Sequence, residues 1–167
     1  MLKPLYLNFS LSYLYSFCYF FILQGYGVNA FYHDIEYPLL YGGNGLTGCT
    51  KEAAQFCTTG CLDRELVKGK IVICDAAAGL DEAFESGASG VILIDEKFSD
   101  GDYVVYPLSA TLISIEIGEV VKSYLKSTKD PVATIRKSES SIDYKAPVVA
   151  SFSSRGPNNI FHDIIKA

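Results

Sequence analysis

The side chains with the best-defined chemistry in this sequence are five cysteines, at positions 18, 49, 57, 61 and 74. Cys57 and Cys61 form a C-x₃-C pair rather than the C-x₂-C of many zinc sites, and neither histidine lies at a zinc-ligand spacing from them. The four cysteines from 49 to 74 therefore favour disulfides in an oxidising compartment over a metal site, and they allow three pairings.

A bridge between Cys57 and Cys74 is the candidate disulfide. It would close a loop that the chain-entropy model values at about 3 kcal/mol. The alternative is that Cys74, at the end of an apolar run, is simply a small buried hydrophobic residue. Whether Cys49 pairs with Cys61 stays open, and Cys18 lies apart from the other four in an apolar leader.

Nucleophilic catalysis would need a serine, a histidine base and an aspartate that orients the imidazole. The chain has two histidines, His33 in a tyrosine-rich loop and His162 near its end. Ser153 and Ser154 follow an apolar segment, but no Gly-x-Ser-x-Gly elbow surrounds them. The acidic residues form no EF-hand loop and the glycines form no nucleotide-binding motif. The sequence thus predicts no catalytic residue, no cofactor and no metal ion.

Length and charge restrict the class of protein. A chain of 167 residues that is 49% hydrophobic and 20% charged suits one globular domain with a buried core. Its net charge is −5 and it has no run of lysine or arginine. We therefore expect no nucleic acid partner and no simple adhesion to anionic lipid.

The first part of the chain differs from the rest in composition. Residues 5–23 are apolar and aromatic, and Lys3 is the only charged side chain before Asp34. This is typical of a targeting segment, and roughly 19 residues is also about the length of a membrane-spanning helix. We expect a helix-like leader over residues 1–24, with membrane association only if it acts as an anchor. An artefact of the gene model is the alternative.

The remaining pattern predicts a mixed α/β fold. Residues 70–74 and 90–94 are continuous apolar runs, typical of strands buried on both faces, and a helical pattern at 81–89 joins them into a parallel βαβ unit. Asp81 is a candidate N-cap of that helix. Residues 111–115 are a third strand candidate, and 131–137 alternate as a half-exposed strand does. Residues 37–41 fit a short edge strand with Pro38 near its start.

Two further helices are predicted. Residues 51–56 suit a short helical turn. Residues 116–127 carry an amphipathic stripe, formed by Ile117, Val120, Val121 and Tyr124. Lys122 and Lys126 fall in the last turns of this helix, where the macrodipole favours cations.

Several segments together resemble the protease-associated insert of the cucumisin-like subtilases. FC-x₃-CLDRELVKGKIVICD at 56–75 resembles the start of that insert, GASGVIL at 87–93 its helix-to-strand turn, and DPVATI at 130–135 its closing strand. PLSA at 107–110 resembles the approach to the next strand. APVVASFSSRGPN at 146–158 is close to the pattern with which the family's chain re-enters the catalytic domain.

The resemblance implies a protease-associated domain at residues 51–137, with a β-sheet or open-barrel core flanked by short helices. Residues 25–50 would be the junction from a missing catalytic domain, and residues 138–167 a linker and the re-entry strand. Cys61 stands where the family more often has serine, so an unpaired thiol is an alternative there. The junction motif would form a fixed turn against the protease core, through Phe152, Ser153, Ser154, Arg155, Gly156, Pro157 and Asn158.

By this resemblance the chain is a fragment of a secreted subtilisin-like serine endopeptidase. Its protease-associated domain would gate substrate access or contact peptides and other proteins, a second copy of itself included, outside the cell. The family's Asp-Thr/Ser-Gly, Gly-His-Gly-Thr and Gly-Thr-Ser-Met segments are absent from the sequence. The alternative is a free-standing binding module with a secretory leader or a membrane anchor.

Because the triad segments are absent, the purified chain should not react with a fluorophosphonate probe for activated serines. A full-length plant subtilisin-like protease, labelled in parallel, is the positive control. Specific labelling of a serine in this chain, lost after denaturation, would contradict the assignment of no catalytic residue.

Overall fold

The computed structural model describes residues 5–11, 19–25, 27, 29–31, 35–45, 47–96 and 106–138. The described residues form a seven-stranded mixed sheet with helices on both faces, as the mixed α/β prediction required. In chain order its elements are β1 (Leu5–Leu11), β2 (Tyr19–Gly25), β3 (Tyr37–Tyr41), α1 (Lys51–Gln55), α2 (Arg64–Val67), β4 (Ile71–Cys74), α3 (Leu80–Glu85), β5 (Gly90–Ile94), β6 (Ser109–Ile113), α4 (Ile115–Ser127) and β7 (Val132–Ile135).

Strands β3, β4, β5 and β6 are neighbours and run parallel, in the order of the chain. All residues of β4, β5 and β6 are buried. A strand with both faces covered favours apolar residues, which explains the continuous apolar runs of β4 and β5. Strand β6 also buries two hydroxyl-bearing residues, Ser109 and Thr111. The predicted βαβ unit is present, with α3 between β4 and β5.

Alternate residues of the parallel strands contribute to two separate cores. Ile71 and Ile73 of β4 face the core that α4 covers with Val121 and Tyr124. Val72 and Cys74 face the opposite core, where α2 and α3 contribute Val67 and Ala83. Successive side chains of a strand point to opposite faces, so a four-residue strand supplies both cores.

The helix-like leader expected over residues 1–24 is wrong for the described part of that segment. Leu5–Leu11 and Tyr19–Gly25 are strands that pair with each other, and β1 also pairs antiparallel with β7. Aromatic and β-branched residues favour strands where a sheet edge can accept them, and β7 presents such an edge. Within the described ranges, no helix is long and apolar enough to span a membrane.

The sheet curls towards an open barrel. Its two outermost strands, β2 and β6, approach each other at the end of β2. A methyl group built on Gly25 would collide with the hydroxyl of Thr111 and lie 3.1 Å from the carbonyl oxygen of Leu112. Glycine is therefore required there by close packing of the two strands.

Strand β3 lies inside the sheet, so its prediction as an edge strand is wrong. It pairs parallel with β4 on one side and antiparallel with β7 on the other, and Leu39 N–H donates to the carbonyl of Pro131 at 2.8 Å. Pro38 suggested an edge because proline cannot donate to a ladder. Strand β7, which pairs with this side of β3, comes almost a hundred residues later in the chain. A local sequence pattern does not reveal such a distant partner.

Two helix starts differ from the sequence prediction, and α4 begins one residue early, at Ile115. Helix α3 begins at Leu80 with Gly79 at its N-cap, so Asp81 lies in the first turn and does not cap the helix. An acidic residue in the first turn still interacts favourably with the helix dipole. Ser114, Thr50 and Asp63 do cap their helices with side-chain oxygens.

Helix α4 shows which part of the predicted stripe is buried. Val121 is 1% exposed, whereas its neighbour Val120 is 53% exposed and does not belong to the core. Tyr124 also fixes the helix to β7, because its hydroxyl both donates to the carbonyl of Val132 and accepts from its N–H, at 3.1 Å in each case.

These adjacent valines give a matched pair of variants. Val121→Ala should lower the free energy of unfolding by about 2 kcal/mol, because it removes buried methyl groups from a packed core. Val120→Ala should change it by less than about 0.5 kcal/mol. Urea unfolding followed by circular dichroism measures both, and equal losses would contradict the packing of α4 described above.

Candidate functional site

The carboxyl ends of the parallel strands carry a group of polar residues. Tyr41 ends β3, Asp75 directly follows β4, and Asp95 directly follows β5. The carboxyl ends of parallel strands meet at one edge of a sheet, where α/β proteins commonly bind ligands. An open cleft of about 330 Å³ lies at this edge, lined by Asp75, Ile94, Asp95, Glu96, Ile115 and Lys122.

Asp75 is the centre of the polar contacts in the cleft. Its Oδ2 accepts a hydrogen bond from the Tyr41 hydroxyl at 2.6 Å and pairs with the Lys122 ammonium at 2.9 Å. That ammonium also lies 5.5 Å from the centre of the Tyr41 ring, within range of a cation–π interaction. The other oxygen, Oδ1, is buried and accepts no hydrogen bond from the described residues.

The Tyr41 phenol is held in its neutral form. Its burial raises its pKa above the ordinary range for tyrosine, and its hydrogen bond to the Asp75 carboxylate and the negative charges of Asp75 and Glu119 raise it further. A phenol of this kind donates a hydrogen bond at neutral pH and does not act as a base. The described lining of the cleft therefore offers carboxylates, the Lys122 ammonium group and exposed apolar surface on Ile115, which suit binding.

No group of three or more histidine, cysteine, aspartate or glutamate side chains is arranged to hold a metal ion in the described part of the chain. Ser153, Ser154, His33 and His162 lie outside that part, and so does the whole junction motif at 152–158.

The structure joins the four central cysteines into two disulfides, Cys49–Cys61 and Cys57–Cys74. Cys57 and Cys74 are 1% and 0% exposed, so their bridge is part of the core. A methyl group built on Gly79 would lie 2.8 Å from the Cβ atoms of both cysteines, so the bridge is closely covered on that side. Cys61, where a free thiol was an alternative, is paired with Cys49.

Glu82 of α3 fixes the loop that carries these cysteines. It is 5% exposed, and its two carboxylate oxygens accept the backbone N–H groups of Gly60 at 2.8 Å and Leu62 at 3.1 Å. The Ser86 hydroxyl donates to the same carboxylate at 3.3 Å. A buried carboxylate without a described cation partner needs such donors, and here they determine the path of the loop on either side of Cys61.

Asn29 holds together the segment between β2 and β3 and the segment that follows β7. Its side-chain amide donates to the carbonyl of Arg136 at 3.0 Å, and its backbone N–H donates to the Ser138 hydroxyl at 2.8 Å. Ser138 N–H in turn donates to the Asn29 carbonyl at 2.9 Å. Residues more than a hundred positions apart in the chain are thus neighbours at one end of the domain.

Sequence reasoning did not identify the group formed by Tyr41, Asp75 and Lys122. An acidic residue directly after a buried parallel strand was the available signal for Asp75. Lys122 was interpreted from the helix dipole alone, whereas the structure places its ammonium group against a carboxylate from another element.

The raised pKa of Tyr41 predicts a dependence of stability on pH. In the unfolded chain tyrosine ionises near pH 10, but the folded protein keeps the Tyr41 proton above that pH. This stabilisation is complete below about pH 10 and is lost as the pH rises further. Tyr41→Phe should therefore lose less free energy of unfolding than the wild type between about pH 9 and about pH 11.

Urea unfolding at each pH measures this difference, with Cys18→Ser in both proteins to prevent disulfide exchange. Asp75→Asn is the matched control, because removing the carboxylate should lower the pKa of Tyr41 and flatten the same pH dependence. Parallel curves for the wild type and Tyr41→Phe would contradict the role of the Tyr41–Asp75 contact.

Comparison with known proteins finds a family model and several relatives that match this sequence. The PA domain family model matches residues 35–121, a range that begins just before β3 and includes most of α4. The chain is 41% identical over 145 residues to subtilisin-like protease SBT4.3 of Arabidopsis thaliana, which covers 86% of this chain and 20% of that protein. It is 43% identical over 147 residues to SBT4.4, covering 87% of this chain and 20% of the relative.

A third relative from Arabidopsis thaliana, named CO(2)-response secreted protease, is 35% identical over 139 residues, which cover 78% of this chain and 18% of that protein. Among solved structures, an aminopeptidase from Aneurinibacillus sp. strain AM-1 superposes with a TM-score of 0.47 and 17% identity, over 82% of this chain and 34% of that one. The chain spans about a fifth of the length of the curated relatives it matches. It belongs to the PA domain family, in the form found in plant subtilisin-like proteases.

Proposed function

We propose that this PA domain serves a subtilisin-like serine endopeptidase by controlling which proteins or peptides reach the catalytic domain. The observation that carries the proposal is the contact of Asn29 with Arg136 and Ser138. A domain inserted into another domain must leave it and return to it at neighbouring points. These hydrogen bonds join the segment before β3 to the segment after β7, and these two segments flank the residues 35–121 that the PA domain family model matches.

The cleft at the carboxyl ends of the strands is the proposed contact surface. Its described lining combines the carboxylates of Asp75, Asp95 and Glu96 with the Lys122 ammonium group, and this balance favours a protein segment with a basic side chain. Ile115 at its margin is 43% exposed and offers apolar area to such a segment. Charge complementarity of this kind mainly increases the association rate and the specificity of a contact.

An extracellular location is part of the same proposal. Two disulfides in one small domain fit an oxidising compartment. One of the relatives also carries the word "secreted" in its name. A free-standing binding module remains the second candidate, because the described residues contain two cores and two disulfides of their own.

Exchange of the domain in a plant subtilisin-like relative tests this function. The segment matching residues 30–137 would be replaced by a Gly-Ser linker of roughly three residues, which is long enough because the two flanking segments are hydrogen-bonded neighbours. We expect the deletion to keep hydrolysis of a short chromogenic peptide but to change kcat/KM for a protein substrate by about tenfold or more, equivalent to about 1.4 kcal/mol.

Insertion of residues 30–137 of this chain should restore the original selectivity, and an otherwise identical insert with Asp75→Asn and Asp95→Asn should not. Selectivity that is unchanged by deletion would contradict a role in substrate access. Restoration by both inserts would show that the domain matters but that the cleft is not its contact surface.

A further inference from the structure

The two disulfides lie in different surroundings. Cys57 and Cys74 are almost completely buried, belong to the core below α2 and α3, and are covered by Gly79. Cys49 is partly exposed, and its sulfur lies 3.9 Å from the carbonyl oxygen of Gly60 in an exposed contact. A reducing thiolate must reach a sulfur atom to attack it, so only the Cys49–Cys61 bridge is accessible without opening the core.

The direction of attack follows from the same burial. Cys61 is 3% exposed, so the incoming thiolate forms its bond with Cys49 Sγ and the electrons of the broken S–S bond leave on Cys61 Sγ. A second thiolate then displaces Cys49 from the mixed disulfide. The products are two cysteine thiols and one disulfide of the reductant, with protons taken from water.

The Cys61 side of the loop stays in place when the bridge opens. Glu82 accepts the N–H groups of Gly60 and Leu62, and Asp63 N–H donates to the carbonyl of Gly45 at 2.8 Å. None of these bonds depends on the sulfur atoms. On the Cys49 side, Thr47 keeps two hydrogen bonds. Its N–H donates to the carbonyl of Cys61 and its hydroxyl donates to the carbonyl of Gly60, each at 3.2 Å.

The segment after Cys49 connects this bridge to the cleft. Thr50 caps α1 by accepting the N–H of Ala53 at 3.3 Å, and the carbonyl of Gln55 at the end of α1 accepts the N–H of Asp75 at 2.8 Å. Helix α1 has five residues and most of them are not buried, so packing alone holds it weakly. Its position depends on how both of its ends are fixed.

We propose that Cys49–Cys61 is a separately reducible latch, opened by low-molecular-weight thiols, that loosens residues 49–55 beside Asp75 while Cys57–Cys74 preserves the fold. This inference rests on the two disulfides and on the hydrogen bonds of α1, independently of the protease assignment. It would make the border of the cleft responsive to the thiol concentration around the protein.

The test uses the full chain with Cys18→Ser, so that no other free thiol can exchange with the bridges. The oxidised protein is incubated with reduced glutathione under native conditions, quenched with N-ethylmaleimide at intervals, and mapped by peptide mass spectrometry. We expect Cys49 and Cys61 to be labelled at least about tenfold faster than Cys57 and Cys74, because the buried pair requires opening of the core. Equal rates, or faster labelling of Cys57 and Cys74, would overturn the proposal.

Hydrogen exchange measures the consequence of opening the latch. The double variant Cys49→Ser/Cys61→Ser should keep the native circular dichroism spectrum, and amides in residues 51–55 should exchange at least about tenfold faster than in the oxidised parent. Amides of β4 and β5 should exchange at unchanged rates and serve as the internal control. Unchanged exchange in 51–55, or faster exchange throughout the sheet, would also overturn the proposal.

Discussion

Burial of strands β4, β5 and β6 on both faces is the constraint on which the rest of this domain depends. Every residue of the three strands is buried, so helices must cover the sheet on each side. Helix α4 covers one face, and α2 and α3 cover the other. Polar side chains that follow these strands can reach solvent only at the carboxyl edge, which places Asp75 and Asp95 in the same cleft.

The small size of the domain explains why covalent links accompany this packing. A domain of this size buries a smaller share of its surface than a larger one, and disulfides are a common supplement in oxidising compartments. The Cys57–Cys74 bridge joins the end of β4 to the loop that follows α1 and so lies within the core. The loop around Cys61 is instead fixed in two ways. A disulfide joins Cys61 to Cys49, and the Glu82 carboxylate accepts hydrogen bonds from the adjacent residues Gly60 and Leu62.

The two ends of the domain differ in ways that suit the proposed role as an inserted module. One end holds the segment before β3 and the segment after β7 together through Asn29, while the cleft with its carboxylates lies where the parallel strands end. A domain attached through paired segments can present its other surfaces to a partner without disturbing its own core. The chain belongs to the PA domain family and is similar to plant subtilisin-like proteases, and the proposed function relates this geometry to those proteins.

The sequence by itself determined the buried strands β4 and β5, the parallel βαβ unit that they form, helix α4 and the resemblance to a family, because runs of apolar residues and local motifs record burial and local conformation. It did not determine that β7 returns beside β3, that the first segments add two strands, or that Cys49 joins Cys61. Nor did it show the contacts of Asp75 with Tyr41 and Lys122, which are 34 and 47 positions away. A local pattern states that a residue is buried or polar but not which distant residue meets it, and only the path of the folded chain decided those pairings.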